Sequence, residues 1–209
     1  MIRLLIADDH AIMREGLKQL FALAGDLQVV AEAENGALLL ERLRQEGIDL
    51  LLLDMNMPGI CGEDLIARIR SHYPTLPILV LSMHNEVQIA QRALKSGASG
   101  YLTKDRDPET LLGAIRRVAA GGRFIDAALA EQMAFAATGL GPCSQHDALT
   151  DRELQVMRLL ARGLSVSQIA AELIISHKTV STHKARLMEK MAFISTADIV
   201  RYAMTHQLL

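Results

Sequence analysis

The run Leu50-Leu51-Leu52-Leu53 leaves little choice of fold for the chain around it. A strand with one face in water alternates apolar and polar residues, and this run has no polar position, so both of its faces must be buried. Sheets covered on both faces are the parallel ones, wrapped by crossover helices. The surrounding sequence fits. The strand-like runs IRLLIA, LQVVAEA, DLLLLD, PILVLS and SGYLT alternate with segments of helical period near residues 13–23, 37–45, 62–71, 87–95 and 108–120. The expectation is an α/β domain over residues 1–122, built on a doubly wound, five-stranded parallel sheet.

Gly121-Gly122 ends the last of these helices, and residues 127–137 can continue as a short helix. Residues 136–146 carry Gly139, Gly141, Pro142 and Ser144 without any period, so the linker is placed there, within a connecting stretch of 123–147. From Thr150 onward the pattern is helical only. Thr150-x-x-Glu153 and Ser165-x-x-Gln168 fit the capping box, Ser176 can cap a third helix, and Ser195-x-x-Asp198 offers a looser cap for a fourth. Four helices are expected, at 151–162, 166–173, 177–191 and 196–206. They form a small all-α domain over 148–209, and their lengths suit a helix-turn-helix with two supporting helices.

Composition narrows the function classes. No tryptophan and 3% aromatics mean aliphatic cores. Asp8 and Asp9 interrupt the opening apolar stretch too early for a signal peptide, and no segment has roughly 18 uninterrupted apolar residues, so a soluble cytoplasmic protein without a membrane partner is expected. Cys61 and Cys143 stand far apart outside any CxxC or Cys/His cluster and read as bystanders. The net charge of −2 hides an asymmetry: from Ala148 to the end, eight basic residues face five acidic ones, a net of +3, which leaves −5 for the rest. Any polyanion would be met at the C-terminal end.

Ligands of parallel α/β sheets sit beyond the carboxyl ends of the strands. Asp8, Asp9, Asp54, Ser82 and Lys104 all fall there. A strand-end aspartate taken singly more often caps a helix, but five coincident positions point elsewhere. Carboxylates converging on one edge repel unless a hard cation such as Mg2+ is shared among them. Asp54 is central, where its carboxylate could attack phosphorus while Mg2+ and the Lys104 ammonium neutralise the transferred oxygens and Ser82 donates a hydrogen bond.

These residues, with Pro58-Gly59 and the stretch from Gly97 to Lys104, closely resemble the receiver domain of bacterial response regulators over about the first 120 residues. The resemblance implies a flavodoxin-like fold with Mg2+ held by Asp8, Asp9, Asp54 and the backbone carbonyl of Asn56. It further implies that Asp54 takes phosphate from a cognate histidine kinase, that Ser82 and Lys104 contact the phosphoryl group, and that Tyr101 is the switch aromatic. Tyr101 also fits a plain strand tyrosine with a wet hydroxyl. LLLLDMN faintly suggests the DxD opening of haloacid-dehalogenase-type phosphatases, but Asn56 cannot protonate a leaving group there and that scheme gives Asp8-Asp9 no role. Met83 is bulkier than the small residue many receivers carry after the Ser/Thr.

Residues 149–209 resemble the LuxR/FixJ/NarL-type helix-turn-helix. In the third helix Val180, Leu187 and Met191 face inward. That leaves small or cationic side chains outside, as major-groove entry requires. By resemblance Ser181, Thr182 and Ala185 face base edges, and Lys178, Thr179, Lys184 and Arg186 complete the DNA contact. Two departures stand out: Lys190-Met191-Ala192 replaces the usual KLG, and Ser195-Thr196 replaces a basic residue near the start of the last helix. The function implied is a non-enzymatic, phosphorylation-regulated transcription regulator that dimerises on phosphorylation and binds double-stranded promoter DNA, with RNA polymerase a further candidate partner. The rivals are a DNA-binding regulator with a degenerate receiver and a Mg2+-dependent phosphohydrolase.

Overall fold

The computed structural model describes residues 1–44, 47–83, 87–137, 145–206 and 208. Two compact units divide the chain, Met1–Gly141 and Pro142–Leu209. The first unit carries a parallel sheet of β1 (Ile2–Ala7), β2 (Leu27–Ala33), β3 (Leu50–Asp54), β4 (Ile78–Ser82), β5 (Gly100–Thr103) and β6 (Phe124–Ile125), in the order β2-β1-β3-β4-β5-β6. Helices α1 (Ala11–Ala24), α2 (Gly36–Arg42), α3 (Gly62–His72), α4 (Val87–Lys95) and α5 (Pro108–Ala119) follow the first five strands in turn.

Every residue of β3 is buried, and the side-chain period of two divides them between two cores. Leu51 and Leu53 join Leu5, Ala7, Ile78 and Val80 on one face, against Leu39 of α2, Leu65 and Ile69 of α3 and Ile89 of α4. Leu50 and Leu52 join Leu4, Ile6 and Leu79 on the other, against Leu17 and Phe21 of α1 and Ile115 and Val118 of α5. The doubly wound reading of the apolar runs is what the structure contains.

The sheet has six strands where five were expected, because Phe124–Ile125, placed in the connecting stretch by sequence, pairs with β5. Gly121, at φ +83°, turns the chain out of α5, and Phe124 and Ile125 then lie beside Gly100 and Tyr101. Two residues are too short to show a period-two pattern. α6 (Ala127–Ala137) follows and packs on α4, with Leu129 buried in the same core as Ile89, Ala90, Ala93 and Tyr101. Asp126 caps it through the N–H groups of Ala128 and Leu129, and pairs with Arg106 at 3.0 Å. Most of the expected linker, residues 138–144, lies outside the described residues, as does Cys143; Cys61 stands at the N-cap position of α3.

The second unit holds α7 (Asp151–Ala161), α8 (Val166–Glu172), α9 (His177–Lys190) and α10 (Thr196–Thr205), preceded by a short 3-10 turn at Gln145–Ala148. Thr150 and Ser165 form full capping boxes, and Ser176 accepts from the Thr179 N–H. At the last helix the Asp198 carboxylate accepts from the N–H groups of Ile194 and Ser195. Met157, Leu160, Ile169, Leu173, Val180, Leu187, Met191 and Ile199 build the core. No helix among the described residues is long and apolar enough to cross a membrane.

The missing glycine after α9 is not bypassed. Ala192 itself takes the left-handed conformation, at φ 52°, and the Phe193 N–H closes back on the Met188 carbonyl at 2.9 Å. Left-handed backbone costs an alanine about 1–2 kcal/mol. Ala192→Gly is therefore expected to stabilise this unit by about 1 kcal/mol once glycine's greater chain entropy is counted against it. Urea melts of the two proteins check this, and an unchanged or lowered midpoint would refute it.

Candidate functional site

The carboxyl edge of the first sheet gathers the acidic residues, because β1, β3 and β5 are parallel and end there together. Asp8 follows β1, Asp54 closes β3, and Lys104 follows β5. The Lys104 ammonium lies 2.7 Å from Asp8 Oδ2 and 3.0 Å from Asp54 Oδ2, with all three side chains at most 6% exposed. Asp9 is half-buried beside them. Ser82 ends β4, wholly buried, and its carbonyl accepts the Lys104 N–H at 2.8 Å, which fixes the lysine's loop to the neighbouring strand. Asn56 is two residues past Asp54, and its N–H reaches Asp54 Oδ1 at 3.4 Å. All the acidic-edge residues expected from sequence thus stand at one place.

Electrostatics here are those of a buried anion cluster. Burial pushes the Asp54 carboxyl above the usual carboxylate range, and the Asp8 charge adds to this while Lys104 opposes it. Burial pulls Lys104 down, but Asp54 and Asp8 outweigh it and hold the ammonium above its ordinary value. Carboxylate oxygens of Asp8, Asp9 and Asp54 lie within 4.8 Å of one another. Convergent carboxylate oxygens are what a hard divalent cation uses, so the residues present fit Mg2+.

One neighbour differs from expectation. Tyr101 is fully buried, in the core shared with α4 and Leu129, so the wet-hydroxyl reading does not describe it. Met83 is 71% exposed. Sequence reading also passed over His10, whose ring Nδ1 stands 3.1 Å from Asp8 Oδ1 and 2.9 Å from Asp9 Oδ1. Its only sequence signal is adjacency to Asp8-Asp9.

On the second unit, α9 leaves Lys178, Thr179, Ser181, Thr182, Ala185 and Arg186 exposed, while Val180 and Leu187 are buried. The Thr182 hydroxyl donates to the Lys178 carbonyl at 2.9 Å, so it presents an acceptor lone pair and a methyl group outward. Thr179 is engaged with the cap at Ser176. Lys184 is half-buried and reaches Thr196 Oγ1 at 3.4 Å, bringing a cation to the start of α10 where the sequence lacks one.

Not every cation of this unit faces outward. Arg152 caps the end of α8 through the Leu173 carbonyl, and Lys190 pairs with Glu153 at 2.7 Å. Burial pushes Glu153 up, yet Lys190 and the Thr150 N–H outweigh it and hold the carboxyl below its ordinary range. A depressed folded pKa contributes stability above the unfolded value of about 4.3 and loses it as pH falls through the folded one. Glu153→Gln is expected to cost about 1–2 kcal/mol at neutral pH. It should also flatten the loss of stability between about pH 5 and pH 3. Thermal melts across that range check it, and an unaltered pH slope would count against the pairing.

Comparisons with known proteins agree with this division. The family described as the response regulator receiver domain matches residues 4–116, and that described as bacterial regulatory proteins of the luxR family matches 147–203. The transcriptional regulatory protein UhpA of Escherichia coli is 37% identical over 201 residues, covering 96% of this chain and 97% of its own. RcsB from Salmonella enterica serovar Typhimurium, bound to promoter P1flhDC in the presence of the phosphomimetic BeF3−, is similar with a TM-score of 0.68 and 28% identity, over 96% of this chain and 97% of that one. A structure of two RcsB dimers on two parallel DNAs is similar with a TM-score of 0.61 and 28% identity, over 97% and 98%.

Proposed function

Because the chain belongs to the response regulators that join a receiver domain to a luxR-family DNA-binding domain, we propose that Asp54 accepts phosphate from a cognate histidine kinase and that this switches promoter binding. The observation that carries the reading is the Lys104 ammonium held between Asp8 and Asp54 at the strand ends. An Asp54 carboxylate oxygen attacks the phosphorus of a phosphohistidine. A P–O bond forms, the P–N bond breaks, and the imidazole leaves as the neutral ring because its other nitrogen already carries a proton in the phosphohistidine. Lys104 faces the incoming charge, and Ser82 donates its hydroxyl to the phosphoryl group. Asp8, Asp9, Asp54 and the Asn56 carbonyl would hold Mg2+, which supplies further charge neutralisation when bound.

Phosphorylation then shifts an existing equilibrium toward a dimer that binds DNA. The RcsB complexes, dimers on DNA in one and a phosphomimetic on promoter DNA in the other, support that assignment. Tyr101 is the switch residue of this reading. The protein acts as a stoichiometric switch in the cytoplasm, without catalytic turnover, and RNA polymerase is a further partner.

On DNA, Ser181, Thr182 and Ala185 read base edges, while Lys178, Lys184 and Arg186 meet phosphates and Thr179 braces the entering turn. Thr182, its hydroxyl proton already given to Lys178, accepts from a base amino group or touches a thymine methyl. Thr182→Ala is expected to cost about 1–3 kcal/mol on the best site and to relax one position per half-site. Lys184→Ala should weaken all sequences alike and lower the salt slope by about one per protomer. Binding of both variants to target and scrambled duplexes over a salt series tests this. A change of base preference in Lys184→Ala with none in Thr182→Ala would overturn the placement of α9.

A further inference from the structure

We infer that Ile174, in the turn between α8 and α9, is a further sequence-reading residue, and that its side chain packs on the C5-methyl of a thymine beside the bases that α9 reads. The inference rests on the placement of α9 against base edges and adds a specificity-determining residue from outside that helix.

The local structure of the turn calls for a different residue. The Ile174 N–H donates to the Ala171 carbonyl at 3.3 Å and the Ile175 N–H to the Ala170 carbonyl at 3.0 Å, the pair of bonds that closes a helix through a left-handed residue. Ile174 is that residue, at φ 52°. Glycine takes this backbone without steric cost, whereas a β-branched side chain crowds it. Among the described residues, Ala192 is the one other non-glycine residue with positive φ.

The side chain returns nothing to the fold. Ile174 is 67% exposed, while Leu173 before it is buried and Ile175 after it packs against the core of the second unit. A lone exposed isoleucine is ordinary on a surface, and so is a strained residue that packing holds in place. An isoleucine that is both strained and exposed serves neither backbone nor core, so its use lies outside the molecule. The turn is also held firmly, since Arg152 of α7 donates to the Leu173 carbonyl at 3.1 Å and Ser176 caps α9. An apolar group presented on a fixed turn loses little freedom on contact.

Its position names the partner. Ile174 stands two residues before the Ser176 cap, and exposure continues through Ser176, His177, Lys178 and Thr179 to Ser181 and Thr182 on the outer face of α9. A duplex that receives the first turn of α9 lies next to this turn. In the major groove the apolar group on a base edge is the thymine C5-methyl.

Binding of the full chain to a duplex selected from a random library, and to copies in which deoxyuridine replaces each thymine in turn, tests the inference. The proteins compared are wild type, Ile174→Gly, Ile174→Val and Thr182→Ala, each also melted in urea. Ile174→Gly is expected to raise the urea midpoint, because glycine relaxes the turn. It should nonetheless weaken binding by roughly 5-fold or more. One deoxyuridine position per half-site should cost wild type about 4-fold, the loss of one buried methyl, and cost Ile174→Gly nothing. Ile174→Val should keep most of that discrimination. Unchanged or tighter binding by Ile174→Gly, the same deoxyuridine penalty in Ile174→Gly as in wild type, or a lowered urea midpoint would overturn the role of Ile174. If Thr182→Ala also leaves base preference unchanged, the placement of α9 falls and this inference with it. If Thr182→Ala alone changes it, that placement stands and Ile174 has no part in reading.

Discussion

Asp54→Asn is expected to abolish phosphoryl uptake completely. Incubated with acetyl phosphate or phosphoramidate and Mg2+, the wild-type chain should gain the mass of one phosphoryl group, and the variant none. The amide is nearly isosteric with the carboxylate, but it offers no anionic oxygen to attack phosphorus. Loss of uptake through unfolding is separable, since the substitution removes one charge from a buried cluster that also contains Asp8 and Asp9. Burial and the Asp8 charge both disfavour ionised Asp54, so the receiver should melt no lower with asparagine there. Asp9→Asn should raise the Mg2+ needed while leaving the acceptor in place. Undiminished uptake in Asp54→Asn would move the acceptor to another residue and sink the assignment.

The second large effect is structural. Arg70→Ala should destabilise the receiver by about 3 kcal/mol and lower its melting temperature by roughly 10 °C. The Arg70 guanidinium donates to the carbonyls of Tyr73, Pro74, Leu76 and Gly97, at 2.6 to 3.2 Å. It thereby ties the exit of α3 to the turn before β5. Charge-assisted bonds to backbone acceptors are the stronger ones, and water replaces only part of what is lost at a half-buried site. Gly97, at φ +112°, is packed so that a side-chain carbon would come within 3.0 Å of Arg70 Nε. Arg70→Lys should recover little, since three of the acceptors face one guanidinium nitrogen and Gly97 the other, and a single ammonium cannot occupy both places. A midpoint within a degree or two of wild type would show that the four bonds contribute little.

Much of this molecule was legible because its signals are long or chemically unusual. Leu50 to Leu53 identified a doubly covered sheet, and parallel strands then brought Asp8, Asp54 and Lys104 to one edge without any side-chain detail. The capping boxes at Thr150 and Ser165 marked α7 and α8 because each satisfies backbone donors through a fixed spacing. What escaped is short or tertiary. β6 has no periodicity to read, and the carbonyls gathered by Arg70 are set by folding, not by spacing. Arg152 and Lys190 counted as a DNA-facing excess of charge, although one caps α8 and the other neutralises buried Glu153. The closeness of His10 to Asp8 and Asp9 is visible only when the distances are known.

β6 and α6 also bear on how such proteins exchange parts. A gene fusion that joined this receiver to a different reader at residue 122 would strip Phe124 and Ile125 from the edge of β5 and Leu129 from the core over α4. The bared strand would offer its backbone to any other chain, the usual route from a trimmed sheet to aggregation. Productive crossover points for shuffling readers onto this receiver therefore lie beyond residue 137, and a lineage of such fusions should carry α6 with the receiver it came from.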